Sequence, residues 1–473
     1  MALIAKQDEQ FREYALTASP LRVIFTTCAP LALYQSLQGI FKIFDALMAS
    51  YIGSEAVSAV SAISQVTLMV TAIGSGLAVG GSIKISEAYG RRDYDAVEKR
   101  VSTVYALAIL VSLVVAAVLI PLAEPFLRLL QTPEDLIREG AGYFRVEILT
   151  LVIQFFNTVY IAIARCRGQA KKILLLNLAV ILVKLLFSAL FVYGFQGGVV
   201  MIAVATLISQ GLMLLFILVS MARDQGCFRF SPRNVRMDRQ TLGPISNLSY
   251  PVTAEKLLFA AGKVMVNAMS GVYGALTVGA LGISNNIGGL TTNWHAGFTD
   301  GAAPLISQNR GAGKYRRTLQ LFFWLLILDV IIGAVGIALV SWGLPWLAAV
   351  FAQSKNQFDP AFQQMIVDIH SWEMLGYVTL GINSATMALL LGYGKTKATM
   401  ILNVARVFVF RVPVLWLLQN FTDMGPEAVG VTMMVSNVST GLASAAFAIP
   451  TVAKIRRLVR EEETGQDTEP AKP

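Results

Sequence analysis

Three polar residues interrupt an otherwise apolar stretch near the start of the chain, and their spacing lets them act together. Pro30 to Gly53 reads PLALYQSLQGIFKIFDALMASYIG, long enough to cross a bilayer, with Gln38, Lys42 and Asp45 toward its middle. In a helix each residue advances about 100°, so the three project within about 60° of one another. An ionised side chain at the bilayer centre costs roughly 2.5–3.5 kcal/mol on insertion scales. Lys42 lies too deep in the stretch for its stem to reach water easily. Such a stripe faces other helices or a wet cavity. The chemistry open to it is to hold a charged ligand or ion there; the plainer alternative is a structural ion pair between helices.

The same stretch recurs. Pro251 to Gly274 reads PVTAEKLLFAAGKVMVNAMSGVYG, at an offset of 221 that pairs Pro30 with Pro251, Lys42 with Lys263 and Gly53 with Gly274. The register holds through Gly76 and Gly297, Gly80 and Gly301, to Gly90 and Gly311. Later spans repeat at an offset of 226, pairing Asn177 with Asn403, Gly168 with Gly394, Asn157 with Asn383 and Glu147 with Glu373. Two copies of one unit, each with a mid-membrane lysine, form a transporter pattern with the site between two lobes.

Candidates for that cavity are Gln38, Lys42, Glu255, Lys263, Asn267 and Arg406. Basic groups at mid-span (Lys42, Lys184, Lys263, Arg406, Arg411) outnumber the central acids Asp45 and Glu255. An ammonium group in a low-dielectric cavity must meet a protein acid or a ligand acid, so a substrate with an anionic or zwitterionic part is expected. Glu147 and Glu373 lie nearer the outer ends and read as either interface acids or functional ones. His295 and His370 read as hydrogen-bonded packing histidines, although histidine could titrate there. The glycines of spans two and eight suit close helix packing or bending, and both readings stay open.

The elements that must position these residues follow from composition. Of 473 residues, 55% are hydrophobic and 14% charged, against about a quarter charged in a soluble protein. The apolar residues come in blocks of about twenty, the length that spans a hydrocarbon core as a helix. The expected fold is all-α and membrane-integral, with twelve spans at 23–49, 56–84, 101–123, 141–164, 173–194, 199–221, 247–271, 276–306, 318–341, 363–391, 398–419 and 427–450. Lysine and arginine cluster in the even-numbered connections and the tail, which accounts for the net charge of +9 without nucleic-acid binding. That asymmetry puts both termini in the cytoplasm, with the protein in the cell (inner) membrane. The basic connection divides the spans into six and six, so the repeats run parallel. The expected divisions are a cytoplasmic N-terminus (1–22), an N-terminal lobe (23–221), a linker (222–246), a C-terminal lobe (247–453) and a cytoplasmic tail (454–473) whose acidic stretch reads as disordered.

Cys28, Cys166 and Cys227 show no paired spacing and read as buried or loop thiols. The polar N-terminus lacks the apolar region of a signal peptide. No HExxH, GxSxG or Walker pattern is present, so neither an enzyme nor a metal or other cofactor site is expected.

Several motifs together carry a family resemblance. A proline opens span one and FDALMASYIG closes it; span two ends in EAYGRRDYDAV, and GQAKKILLLN precedes span five. The second half agrees through SQNRGAGKYRRTL, LGYGKTKATMILN and FVFRVPVLWLL. The sequence resembles the multidrug and toxic compound extrusion (MATE) family over nearly its whole length. The resemblance implies two six-helix lobes around a central cavity and export driven by a Na⁺ or H⁺ gradient through alternating access. It places the coupling ion at Asp45 and matches a site-lining threonine to Thr206. Where relatives have an Asn and an Asp in span five, this chain has Lys184 and Ser188. A lysine at a sodium ligand's position argues against the usual Na⁺ site and favours an Asp45–Lys184 pair, with H⁺ as the expected ion.

The expected function is therefore secondary antiport of drugs, toxins or metabolites by a monomer embedded in lipid. The alternative is a flippase or exporter of anionic or lipid-linked metabolites.

Overall fold

The computed structural model describes residues 2–52, 54–125, 134–195, 197–354 and 357–463, with the side chains of 2–8, 40–66, 134–140, 199, 353–354 and 357–358 outside the description. The chain is helical almost throughout. In order the helices are α1 (Ala2–Thr17), α2 (Pro20–Ile52), α3 (Ser54–Gly90), α4 (Tyr94–Leu119), α5 (Glu134–Cys166), α6 (Ala170–Ala189), α7 (Val199–Ala222) and α8 (Arg239–Ser270). The second half continues with α9 (Ala275–Gly311), α10 (Tyr315–Ala352), α11 (Pro360–Glu373), α12 (Tyr377–Gly392), α13 (Thr396–Phe408), α14 (Val412–Phe421) and α15 (Glu427–Glu463). A two-residue antiparallel ladder, Gln353–Ser354 with Gln357–Phe358, is the only strand pairing among the described residues. Nine of the described segments are long and apolar enough to cross a membrane. Large apolar side chains point outward along them, Trp342 at 88% exposure and Leu186 at 68%, as lipid-facing surface requires. The protein is an all-α integral membrane protein.

The chain divides into two compact units. The first comprises Met1–Glu13 and Leu37–Leu257, the second Tyr14–Ser36 and Leu258–Pro473. The two boundaries after residues 36 and 257 are themselves 221 residues apart, the repeat offset. Each falls inside a helix, α2 and α8, so each of these helices contributes its first part to one unit and its last part to the other.

In the first unit, Gly76 and Gly80 of α3 pack on the early part of α8. A Cβ at Gly80 would lie 2.8 Å from the backbone nitrogen of Ser249, and one at Gly76 would meet Thr253. In the second unit, Gly297 and Gly301 of α9 pack on the early part of α2, against Ala32 and Cys28. Every partner in the second set is its counterpart from the first, shifted by 221. These glycines permit backbone contact between helices, the close-packing role open to small residues in lipid.

The repeat is also written in the helix ends. Arg92 and Gly313 both take the left-handed conformation, with φ of 64° and 72°, and so do Gly168 and Gly394 at 69° and 71°. Behind each, an amide five residues on reaches back to close the helix: Asp93 to the Ala88 carbonyl at 3.1 Å, Lys314 to Asn309 at 2.9 Å, Gln169 to Ala164 at 3.0 Å and Lys395 to Leu390 at 2.8 Å. This is the Schellman arrangement, which satisfies carbonyls a helix end would leave unpaired.

Two long apolar blocks that read as single spans are interrupted. Residues 360–392 change to a 3₁₀ turn at Met374–Gly376, and 396–421 break around Arg411, just before Pro413. Proline removes a donor and clashes with the preceding turn, which accounts for the second break. The basic connection at 222–246 is folded onto the first unit: Phe228 is buried, the Ser231 amide donates to Ser102 Oγ at 3.0 Å, and the Arg236 amide donates to Thr103 Oγ1 at 3.0 Å. Glu461 to Glu463, read from sequence as part of a disordered tail, continue α15, and Glu461 pairs with Arg457 at 2.7 Å. The tail from 464 lies outside the described residues.

Candidate functional site: a buried polar network in the second unit

The interruption between α11 and α12 fixes the position of Glu373. Asp359 caps α11, its Oδ1 accepting from the amides of Ala361 at 3.0 Å and Phe362 at 3.1 Å, with Pro360 opening the helix. Apolar Ile366 and Ile369 seat the helix in the core, and the 3₁₀ turn begins directly after Glu373. Gly376 sits in that turn because α15 passes close by; a Cβ there would lie 2.5 Å from Asn437 Cβ.

Around Glu373 the polar side chains form a continuous chain of hydrogen bonds. Ser284 Oγ of α9 donates to Glu373 Oε2 at 2.5 Å and lies 2.8 Å from His370 Nδ1. Tyr377 OH lies 2.9 Å from His370 Nε2. One assignment satisfies all three contacts with a neutral imidazole: Tyr377 donates to Nε2, Nδ1–H donates to Ser284, and Ser284 donates to the carboxylate. All four side chains are buried. A linked row of donors and acceptors ending on a carboxylate can take up a proton and pass it along by reorienting its hydroxyls.

Two arginines gather on Asn437, the residue that packs against Gly376 in the turn after Glu373. Arg406, at the end of α13, donates from Nη2 to Asn437 Oδ1 at 2.8 Å, and Arg411 reaches the same oxygen at 3.5 Å. The Nε atoms of Arg406 and Arg411 are buried without a hydrogen-bond partner among the described residues, a costly state that a ligand acceptor would relieve. Arg406 also stacks over the Phe259 ring at 5.6 Å, and Lys263 Nζ lies 5.9 Å from the same ring centroid. Two of the residues that sequence assigned to the cavity, Lys263 and Arg406, therefore meet around one aromatic ring.

A second buried pair lies on neighbouring helices of the same unit. His295 Nδ1 and Asp329 Oδ1 are 2.8 Å apart, on α9 and α10. Ser384 Oγ of α12 donates to the His295 carbonyl at 2.9 Å and lies 2.8 Å from Thr299 Oγ1. Asp329 is fully buried.

The other sequence candidates are distributed as follows. Asn267 is exposed on α8, one turn beyond Lys263. Glu255 is buried in the first unit, and Gln38 is half-buried there. Lys184 is half-buried and Ser188 buried on α6, while Thr206 Oγ1 on α7 donates to the Ile202 carbonyl at 3.1 Å. The side chains of Lys42 and Asp45 lie outside the described residues, so the expected Asp45–Lys184 pair does too. Of the two repeat-related acids, Glu147 is half-buried and Glu373 is at the centre of the network. Sequence reasoning missed Asp329, Ser284, Tyr377 and Asn437. Asp329 had a signal, a lone carboxylate in an apolar span; the other three had none, since serine, tyrosine and asparagine are common in such helices.

An all-helical membrane protein whose two units repeat one pattern, with ionisable groups buried inside, is built as a secondary transporter. The MatE family model matches residues 30–190 and 251–417, one segment in each repeat, and the chain belongs to that family, the multidrug and toxic compound extrusion transporters. It is 23% identical over 410 residues to the probable multidrug resistance protein YoeA of Bacillus subtilis (strain 168), covering 85% of this chain and 87% of that protein. Among solved structures it is similar to the outward-facing conformation of a multidrug resistance MATE family transporter of the MOP superfamily, with a TM-score of 0.89, 19% identity and coverage of 94% and 98%. It is also similar, at a TM-score of 0.88, 19% identity and the same coverage, to a MOP superfamily transporter from Pyrococcus furiosus described as having a binding pocket of reverse polarity that suggests a different function. The chain is not an enzyme.

Proposed function

We propose that this protein is an H⁺-coupled antiporter that exports a small molecule carrying an anionic or zwitterionic part. The observation that carries the proposal is the hydrogen-bond chain from Tyr377 through His370 and Ser284 to Glu373, with Arg406 and Arg411 gathered on Asn437, which packs against the turn that follows Glu373. A carboxylate at a break in a membrane helix, linked to hydroxyls and an imidazole, suits a proton. The adjacent guanidinium groups, with Lys263 around Phe259, suit an acidic ligand group. While ionised, Glu373 can hold the cationic part of a zwitterionic ligand whose acidic part meets the guanidinium groups. Protonation of Glu373 removes that contact and releases the ligand, so proton and ligand exclude one another at one shared carboxylate, as antiport requires. The half-buried Lys184 beside the buried Ser188 of α6, where family members have Asn and Asp, supports H⁺ over Na⁺.

In this proposal twelve spans form two parallel six-helix repeats divided near 222–246, both termini are cytoplasmic, and the protein works as a monomer in the cell membrane. Asp45, Lys184, Ser188 and Thr206 serve coupling in the first repeat, and Gln38, Lys42, Glu255, Lys263, Asn267 and Arg406 face substrate. YoeA is described as a probable multidrug resistance protein, which supports export as the direction. The reverse polarity described for the Pyrococcus furiosus transporter supports a basic pocket as a workable variation on this fold. Uptake into inverted vesicles of acidic, zwitterionic and cationic dyes, under separately imposed pH and Na⁺ gradients, tests both parts.

A further inference from the structure

A groove in the second unit runs along α10 and α15 over α12. It encloses about 550 Å³, within the roughly 300–1,000 Å³ of small-molecule pockets. Its walls are apolar, with Phe322, Phe323 and Leu326 on α10 and Ala448, Ile449 and Val452 on α15, over a floor of Ile382 and Thr386. At one end it meets three arginines, Arg456, Arg457 and Arg460, where α15 turns from apolar to charged sequence. The wall residue Ile449 is 67% exposed, so the groove opens outward in a helix that crosses the membrane.

We infer that this groove binds one anionic phospholipid, an acyl chain lying along the apolar walls and the headgroup phosphate meeting the arginines. The length of the apolar part excludes a free phosphate as the natural occupant, and the charge at its mouth distinguishes anionic from zwitterionic lipid. Basic pockets between transmembrane helices hold acidic headgroups in this way, because the phosphate is drawn to the guanidinium groups at the membrane boundary while the chains stay in hydrocarbon. Nearby acids leave positive charge at the mouth of the groove. Glu461 pairs with Arg457 at 2.7 Å and Glu463 approaches Arg316 at 3.7 Å, whereas Arg456 makes no ion pair among the described residues. Arg457 remains 83% exposed at its side chain and able to reach a second partner.

The test uses the full-length protein, delipidated in detergent and titrated with palmitoyl-oleoyl phosphatidylglycerol or phosphatidylethanolamine while bound lipids are counted by native mass spectrometry. Wild type should bind phosphatidylglycerol about tenfold more tightly, saturating at one molecule. Arg456→Gln, Arg457→Gln and Arg460→Gln together should bring the two lipids within about twofold of each other. Ala453→Trp, which fills the groove at an exposed position and leaves every charge in place, should do the same. Equal binding of the two lipids by wild type overturns the assignment without recourse to any variant. An unchanged preference in the arginine variant shows that the guanidinium groups do not hold the headgroup. In Ala453→Trp it shows diffuse attraction in place of a seat in the groove. Either result overturns it.

Discussion

Gly297 of α9 rests on the backbone of Ala32 in α2, and the same contact, shifted by 221 residues, joins Gly76 of α3 to Thr253 in α8. Each unit thus encloses the opening part of a helix whose remainder belongs to the other. The lysines that drew attention in the sequence sit later in those two helices.

Substitution at Gly297 should be costly in proportion to this closeness. Gly297→Ala would push a methyl into the Ala32 backbone, which has no rotamer to move, and about 1–3 kcal/mol of stability should be lost. Gly211→Ala, where a Cβ meets nothing within 4 Å, should be close to neutral or slightly stabilising in its helix. Thermal unfolding of the two variants in the same detergent compares them directly.

Arg92 is the one described non-glycine residue with positive φ, and its repeat counterpart is Gly313. An L-residue in the left-handed region costs roughly 1–2 kcal/mol. Arg92→Gly should therefore stabilise the first unit, less the entropy glycine adds to the unfolded chain, whereas Gly313→Ala should destabilise the second by about 1 kcal/mol. Opposite signs in melting temperature are the expected outcome.

The His295–Asp329 pair should behave as a structural bond with a buried acid. Asp329→Ala leaves the imidazole without its partner and should cost about 1–3 kcal/mol. Asp329→Asn retains an acceptor near Nδ1 and should recover most of that stability. Thermal unfolding of the two variants checks this: if Asn is as damaging as Ala, the charge itself, and not an acceptor alone, holds the imidazole.

A pH effect is expected where α8 begins. Asp238 accepts from the Thr241 amide at 2.8 Å, and this bond holds its carboxyl below the usual carboxylate range. Because the folded-state pKa is the lower one, the stabilisation is complete above the unfolded value near 3.9 and is lost as pH falls through the folded value. Amide exchange at Thr241 should quicken relative to Leu248, after correction for intrinsic rate, on going from neutral to acid pH. Asp238→Asn should abolish that difference, since the amide caps without titrating.

Much of the fold was legible in the sequence because its signals are local or repeated. Glycines at matching offsets marked the helix contacts of Gly76 and Gly297 and the left-handed ends at Gly168 and Gly394; apolar blocks marked the spans. The exchange of Tyr14–Ser36 into the second unit was not legible, since it depends on which distant helix fills the space beside Gly297. The site was less legible than the fold. Lys263 and Arg406 stood out as charges in apolar surroundings, and they do meet around Phe259. Glu373 read as either an interface acid or a functional one, and the 3₁₀ turn that follows it leaves no clear mark in composition. Ser284 and Tyr377 acquire meaning only from His370, which tertiary packing brings between them.

The shared carboxylate is tested most directly by counterflow in proteoliposomes containing wild type or Glu373→Gln, loaded with a zwitterionic dye. The account predicts that a pH gradient drives dye transport in wild type and a Na⁺ gradient at fixed pH does not. In Glu373→Gln gradient-driven transport should fall at least tenfold, while dye exchange without a gradient persists. Transport driven by Na⁺ alone, or full pH-driven transport by Glu373→Gln, would contradict it.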